Sequence, residues 1–260
     1  MTSWSRRQAE ILALAREAGR VGVEELAERF RVTQQTIRRD LNELCGHRAL
    51  TRVHGGAIVA SGVHNLAYEA RRLVSQPHKR LIGEAAAALI PSHSSLFINI
   101  GTTTEEVARA LRAHDGLLVI TNNLHVATEL YRHPGLEVVL AGGAVRRADG
   151  GIVGASTVEM ISKFQVDTAV IGTSAIGPDG TLLDFDLREV RVSRAIIENA
   201  RRVLLATDSS KFARQAPVRI AHLSEVDILV TDRLDPAATE LCRLNEVAVV
   251  EAGGPLEPED

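Results

Sequence analysis

The sequence predicts an α/β protein in two parts: a small helical one, then a larger one built on a largely parallel sheet. Three observations lead there. Charge divides unevenly: residues 1–60 carry ten Arg against seven Asp or Glu, net +3, and the remainder carries 20 basic and 26 acidic residues, net −6. Before residue 50, apolar residues recur at helical spacing. After Lys79, seven short apolar runs alternate with helix-like segments, the pattern of strands covered on both faces.

The first part reads as follows. Residues 5–18 form an amphipathic helix with Ile11, Leu12, Leu14 and Ala15 near one face, ended by Gly19. "VEELAERF" (23–30) places Val23, Leu26, Ala27 and Phe30 at i, i+3, i+4, i+7 of a second helix. After Arg31-Val32, Thr33 is a good N-cap for a third helix, on which Ile37, Leu41 and Leu44 make one buried stripe. "LTRVHGGAI" (50–58) reads as a short β-ribbon with Gly55-Gly56 near its turn.

Two short helices joined by a tight turn, followed by a ribbon, form a winged helix-turn-helix pattern. On a helical wheel, Gln35, Arg39 and Asn42 oppose the buried stripe, with Thr36 and Arg38 on the flanks and Thr33 and Gln34 at the helix start. Arginine can bond guanine O6 and N7, and Gln or Asn adenine N6 and N7. A flanking arginine reaches phosphate and positions the helix. Arg52 and His54 on the ribbon fit a wing on the backbone or minor groove. A solvated face on an ordinary three-helix bundle would also expose arginines; the turn and ribbon favour DNA. Contact with protein or RNA is the other use of such a module.

Residues 59–78, with Gly62, Asn65 and Pro77, lose periodicity and read as a linker with some helix around 66–74. The expected domains are therefore 1–58, a linker 59–78, and 79–260. The strands of the last are "LFINI" (96–100), "LLVIT" (117–121), "EVVLA" (137–141), "TAVIG" (168–172), "RVLLAT" (202–207), "DILVT" (227–231) and "VAVV" (247–250). Helices are expected at 104–112, 124–132, 155–164, 186–200 and 236–244. Polar loops follow several strands, and in an open parallel sheet ligands bind at carboxyl strand ends. The loop Gly101-Thr102-Thr103-Thr104 brings hydroxyls and free N–H groups to a positive helix end, which suits phosphate; an N-cap with spare threonines is the plainer alternative. Lys211 adds a point charge. Asn122, Asn123 and Ser174 suit ligand hydroxyls, and Gly143 lies on another such loop. Asp184, Asp186, Glu189 and Arg191 close the site or couple it to a subunit interface.

Other classes are disfavoured. Cys45 and Cys242 are the only cysteines, so there is no disulfide framework and no C-x-x-C pair. Glu10, Arg16 and Glu17 interrupt any signal-peptide core. No apolar run approaches the roughly 20 residues that span a bilayer. A cytoplasmic protein is expected, with no membrane partner, metal, cofactor or catalytic set.

The stretch "VEELAERFRVTQQTIRRDLNEL" with "HGGA" after it is similar to the winged helix of the DeoR family of bacterial transcriptional regulators. "FINIGTTTEEVARAL", "ITNNLHVA", "LAGGAVRRADGGIVG", "LLDFDLREVRVSRAIIENA" and "DSSKF" resemble that family's sensor domain in order and spacing. The resemblance covers nearly the whole chain. One departure is Arg31, where the helix-turn-helix turn often has glycine. The resemblance implies a repressor whose hold on double-stranded operator DNA is relieved by a small phosphorylated metabolite, with glycerol 3-phosphate the first choice. It also implies a homodimer or homotetramer and a sensor domain resembling ribose-5-phosphate isomerase. An isomerase-like enzyme is the alternative; however, Thr173-Ser174-Ala175 stands where those enzymes place carboxylates, which leaves Asp186 and Glu189 as the candidate acids.

Overall fold

The computed structural model describes residues 4–18, 20–46, 50–53, 55–59, 68–73 and 75–252. Gly19 and His54 lie outside the described residues. The chain divides into two compact units, Met1–Ser75 and Gln76–Asp260.

The first unit runs α1 (Arg6–Ala18), β1 (Arg20–Gly22), α2 (Val23–Phe30), α3 (Gln34–Gly46), β2 (Leu50–Val53), β3 (Gly56–Val59) and α4 (Tyr68–Leu73). Ile11, Leu12 and Ala15 of α1 pack with Leu26 and Ala27 of α2 and with Ile37, Leu41 and Leu44 of α3. Leu50 and Ala57 of the ribbon join this core. The expected two-stranded ribbon is a three-stranded sheet of order β1-β3-β2. Strand β1 has only three residues, too few for alternation to reveal it. Its partner β3 pairs Val21 with Ala57 and Gly22 with Gly56. A Cβ on Gly56 would lie 2.0 Å from the Val21 carbonyl oxygen, so glycine is required there.

Arg31 makes the turn between α2 and α3 in the left-handed conformation, φ 52° and ψ 46°. That backbone costs a non-glycine residue about 1–2 kcal/mol. Helix-closing bonds from Arg31 N–H to the Glu28 carbonyl (3.2 Å) and from Val32 N–H to the Ala27 carbonyl (3.0 Å) offset it. The Thr33 hydroxyl then accepts the Thr36 N–H at 3.3 Å and starts α3.

The second unit opens with α5 (Gln76–Ala88), which begins inside the stretch expected as linker. It continues through β4 (Ser95–Ile98), α6 (Thr102–Ala110), β5 (Leu117–Thr121), α7 (Leu124–Leu130) and β6 (Leu136–Leu140). A small hairpin follows, β7 (Ala144–Val145) and β8 (Ile152–Val153), then α8 (Ala155–Ile161) and β9 (Thr168–Ile171). Next come β10 (Ala175–Ile176), β11 (Thr181–Asp184), α9 (Leu187–Glu198), β12 (Val203–Ala206) and β13 (Val218–His222). The unit ends with β14 (Ile228–Thr231), α10 (Pro236–Leu244) and β15 (Ala248–Glu251).

The seven expected runs make one sheet of order β15-β14-β12-β9-β4-β5-β6, parallel throughout. Side chains alternate between its faces. Leu96 and Ile98 face a layer with α5, α6 and α7; Phe97 faces the layer with α8, α9 and α10. The strands β10, β11 and β13, absent from the sequence reading, form a separate antiparallel sheet. Each has two to five residues, again too short for a periodic signal.

The order reverses between β4 and β9. From β4 the chain winds one way, through β5 to β6; from β9 it winds the other way, through β12 and β14 to β15. The carboxyl ends of β4 and β9 are therefore the switch point of the sheet, the place where doubly wound sheets bind ligands.

Gly56→Ala is expected to destabilise the first unit by about 1–3 kcal/mol, the usual cost of overpacking. Chemical denaturation of the two proteins checks this; equal midpoints would show that β1 and β3 can move apart freely.

Candidate functional site

In the first unit, α3 turns one face outward. Thr33, Gln34, Gln35, Arg38, Arg39 and Asn42 are exposed, and Thr36 is half-buried. Arg52 is exposed on β2. The Thr33 and Thr36 hydroxyls lie 2.9 Å apart and are engaged with each other. Asp40, the one acid beside the two arginines, turns inward. It accepts from Arg7 Nε at 2.5 Å and Nη2 at 3.2 Å, tying α1 to α3. Gln8 Nε2 donates to Glu43 at 2.8 Å. Among the described residues no carboxylate pairs with Arg38 or Arg39. The sequence reading missed the Arg7–Asp40 bond; Asp40's place beside the buried stripe was its only signal.

In the second unit the switch point lies at the β4–α6 loop. Thr102, Thr103 and Thr104 are buried in the first turn of α6. The Thr104 hydroxyl is committed to the backbone, donating to the Asn99 carbonyl at 2.7 Å and the Gly101 carbonyl at 2.8 Å. The hydroxyls of Thr102 and Thr103 make no hydrogen bond among the described residues. A Cβ on Gly172, just past β9, would sit 3.7 Å from Thr104, 3.8 Å from the Ile100 carbonyl and 4.0 Å from the Ala206 carbonyl. The ends of β4, β9 and β12 thus meet.

Neighbouring loops lean on this one. Asn123 caps α7 by accepting His125 N–H at 2.9 Å and reaches Glu105 of α6 at 3.3 Å. Asn122 donates to the Ile152 carbonyl at 3.2 Å, and its Oδ1 is buried without a hydrogen-bond partner among the described residues. Ser174 donates to Asp184 at 3.1 Å. Gly143 is a packing glycine, since a Cβ there would lie 2.2 Å from the Thr157 hydroxyl. Lys211 sits after β12, on a short 3-10 turn capped by Asp208.

Arg146, missed by the sequence reading, organises the rim. It donates to Asp149 at 2.6 and 2.8 Å, to Glu189 at 2.6 Å and to Asp186 at 3.1 Å. The β7–β8 hairpin is thereby fastened to the start of α9. On the other side, Asn99 donates to Ser193 of α9 at 2.7 Å. Burial would lower the Arg146 pKa, but Asp149 and Glu189 raise it, so the guanidinium stays charged. The Arg188 guanidinium, with help from Arg146, holds the Asp186 carboxyl well below the usual range. Burial raises Asp208, yet Lys211, the Ser210 hydroxyl and Lys79 bring its pKa below the ordinary value. Among the described residues, no group of three or more His, Cys, Asp or Glu could hold a metal ion, and no helix is long and apolar enough to cross a membrane.

Residues 7–63 match the DeoR-like helix-turn-helix domain and residues 74–233 the DeoR C terminal sensor domain. The glycerol-3-phosphate regulon repressor of Escherichia coli (strain K12) is 45% identical over 234 residues, 90% of this chain and 93% of the relative. The Haemophilus influenzae protein of the same name is 46% identical over 227 residues, 87% of this chain and 89% of the relative. The HTH-type transcriptional repressor CsqR of E. coli is 42% identical over 232 residues, 89% of each chain. Ribose 5 phosphate isomerase A from Neisseria gonorrhoeae is similar over 52% of each chain, at 16% identity and a TM-score of 0.37. The chain belongs to the DeoR family.

Two outcomes follow. Arg146→Gln removes the guanidinium shared by Asp149 and Glu189 and is expected to cost the second unit about 3–5 kcal/mol in urea unfolding. Asp186 and Asp208 are depressed in the folded state, so their contribution is full above the unfolded carboxylate value of about 4 and is lost as pH falls through the folded values. Thermal unfolding from pH 7 to pH 2.5 is expected to show a decline that starts near pH 4; a flat profile would remove both carboxylates from the stability of this unit.

Proposed function

We propose that the protein is a DNA-binding transcriptional repressor, with a winged helix-turn-helix that reads operator DNA and a sensor domain that releases it on binding a small phosphorylated metabolite. The observation that carries this is the sorting of charge on α3: Asp40 turns into the core while Arg38 and Arg39 stand exposed and, among the described residues, without a pairing carboxylate. In the DNA complex, Thr33, Gln34, Gln35, Thr36, Arg38, Arg39 and Asn42 face the major groove and its phosphates, and Arg52 with His54 serves the wing. The protein acts in the cytoplasm as a homodimer or homotetramer, because a two-fold pair of such modules reads two half-sites.

The effector is glycerol 3-phosphate, held at Gly101, Thr102, Thr103 and Thr104 and by Lys211. The names of the E. coli and H. influenzae relatives support the choice. A helix terminus alone offers about 0.3–1 kcal/mol, so the hydroxyls of Thr102 and Thr103 and the Lys211 ammonium supply most of the phosphate affinity. Thr104 holds the loop. Asn122 and Asn123, with Ser174, Gly143 and Glu189 around them, shape the polyol end; the unpartnered Asn122 Oδ1 accepts a ligand hydroxyl. Isomerase chemistry finds less support, because Asp186 and Glu189 are paired with Arg146 and Asp184 accepts from Ser174 and from the Phe185 N–H at 2.6 Å. A general base needs a titratable group free to take a proton.

Titration of operator-bound protein with glycerol 3-phosphate and with pentose and hexose phosphates tests this reading. Release by a different phosphosugar would keep the site and change the ligand; no response to any phosphorylated compound would remove the sensor. Arg39→Ala is expected to weaken operator binding by about 1–3 kcal/mol and relax one base position. Arg38→Ala should weaken all sequences alike and lower the salt slope by about one unit. Thr103→Ala or Lys211→Ala should leave operator affinity intact and abolish release.

A further inference from the structure

Helix α5 is the first element of the sensor unit, and Gln76, its first residue, is bonded directly to Ser75, the last residue of the DNA-binding unit. Its first turn is fastened to the loops at the carboxyl ends of β12 and β14. His78 Nδ1 lies 3.1 Å from Asp232 Oδ2, just past β14. The same carboxylate accepts the Ser209 N–H at 2.7 Å and the Ser209 hydroxyl at 3.2 Å. Asp232 therefore joins the start of α5 to the turn that carries Lys211. Lys79, one residue on, is 4% exposed, an unusual state for an ammonium group, and lies beside the buried Asp208.

Further along, α5 crosses α6 with no space to spare. A Cβ on Gly83 would lie 2.6 Å from the Glu106 carbonyl carbon and 2.7 Å from its oxygen. Backbone against backbone leaves no side chain to absorb a shift. The first turn of α6 carries Thr102 and Thr103. One helix thus packs on α6, whose first turn carries one half of the proposed phosphate seat, is joined through Asp232 to the turn that carries the other half, and continues into the chain of the DNA-binding unit.

We propose that α5 carries the effector signal to the DNA-binding unit and that the His78–Asp232–Ser209 contact is the joint through which the Lys211 turn moves it. This rests on the effector site proposed above. A ligand shifts operator affinity only by what it does differently in two conformations, and the joint supplies a discrete contact that a shifted Lys211 turn makes or breaks. Neither His78 nor Asp232 is needed to hold phosphate, so ligand binding and its consequence are separable.

The test uses the full-length protein at constant pH and three variants: His78→Ala, Asp232→Asn and the double. Two quantities are measured: the dissociation constant for glycerol 3-phosphate by calorimetry without DNA, and the ratio of operator dissociation constants with and without saturating glycerol 3-phosphate. Wild type is expected to show a ratio of about 5–150, the ordinary range of allosteric coupling. Each single variant should bring the ratio to within about twofold of one, with the double no lower, because both remove one contact. Effector affinity should stay within about threefold of wild type. A ratio unchanged in either single variant overturns the proposal. Loss of effector affinity by more than about tenfold also overturns it, by making the joint part of the binding site. Asp232→Asn nearly preserves volume and carries the test if His78→Ala unfolds. A wild-type ratio of one would instead mean that the effector reading itself has failed.

Discussion

A parallel sheet must bury both of its faces, because the crossovers between its strands lie against them. In the larger unit that requirement sets nearly everything else. In the inner strand β12, Leu204 and Ala206 face one layer and Val203 and Leu205 the other, with no polar side chain between them. Each residue of this kind contributes about 1.5–3 kcal/mol on burial. Polar chemistry is displaced to the strand ends. The reversal of winding between β4 and β9 then selects which ends can hold a ligand.

The loops at that point largely satisfy themselves. Asn99, Thr104, Asn123 and Ser174 each spend a side-chain hydrogen bond on holding the loops in place. Among the described residues, the side-chain atoms left without a hydrogen bond there are few: the Thr102 and Thr103 hydroxyls and the Asn122 oxygen. The ligand proposed for this place is correspondingly compact, with one strongly anionic end and few hydroxyls. Around it, Arg146 gathers three carboxylates that would otherwise repel one another and the ligand. Its contribution is geometric as well as electrostatic, because it fixes the hairpin against α9.

In the smaller unit one bidentate ion pair performs a similar sorting. Asp40 would neutralise Arg38 or Arg39 if it faced them. Arg7 draws it inward instead, and the outer face of α3 keeps its positive charge. Association with a polyanion gains from every arginine left unneutralised. A chain that is slightly acidic in total can therefore present a positive surface where it matters.

Much of this was legible in the residues. The stripe Ile37, Leu41, Leu44 and runs such as "LLVIT" determined the helices and the parallel strands, because burial imposes period on sequence. Thr33 and Gly101 announced helix starts through local hydrogen bonding and backbone freedom. What lay beyond reach was pairing over distance. Arg7 and Asp40 are 33 residues apart, Arg146 and Glu189 43, and Asn99 and Ser193 94. The sequence marks such residues as charged or polar and says nothing of which will meet. The two- and three-residue strands, the left-handed Arg31 and the His78–Asp232 contact belong to the same class. Periodicity and capping are local, so sequence alone decides them; strand order and the partners of buried charges are settled only when the chain closes on itself, and those partners determine which groups remain free to act.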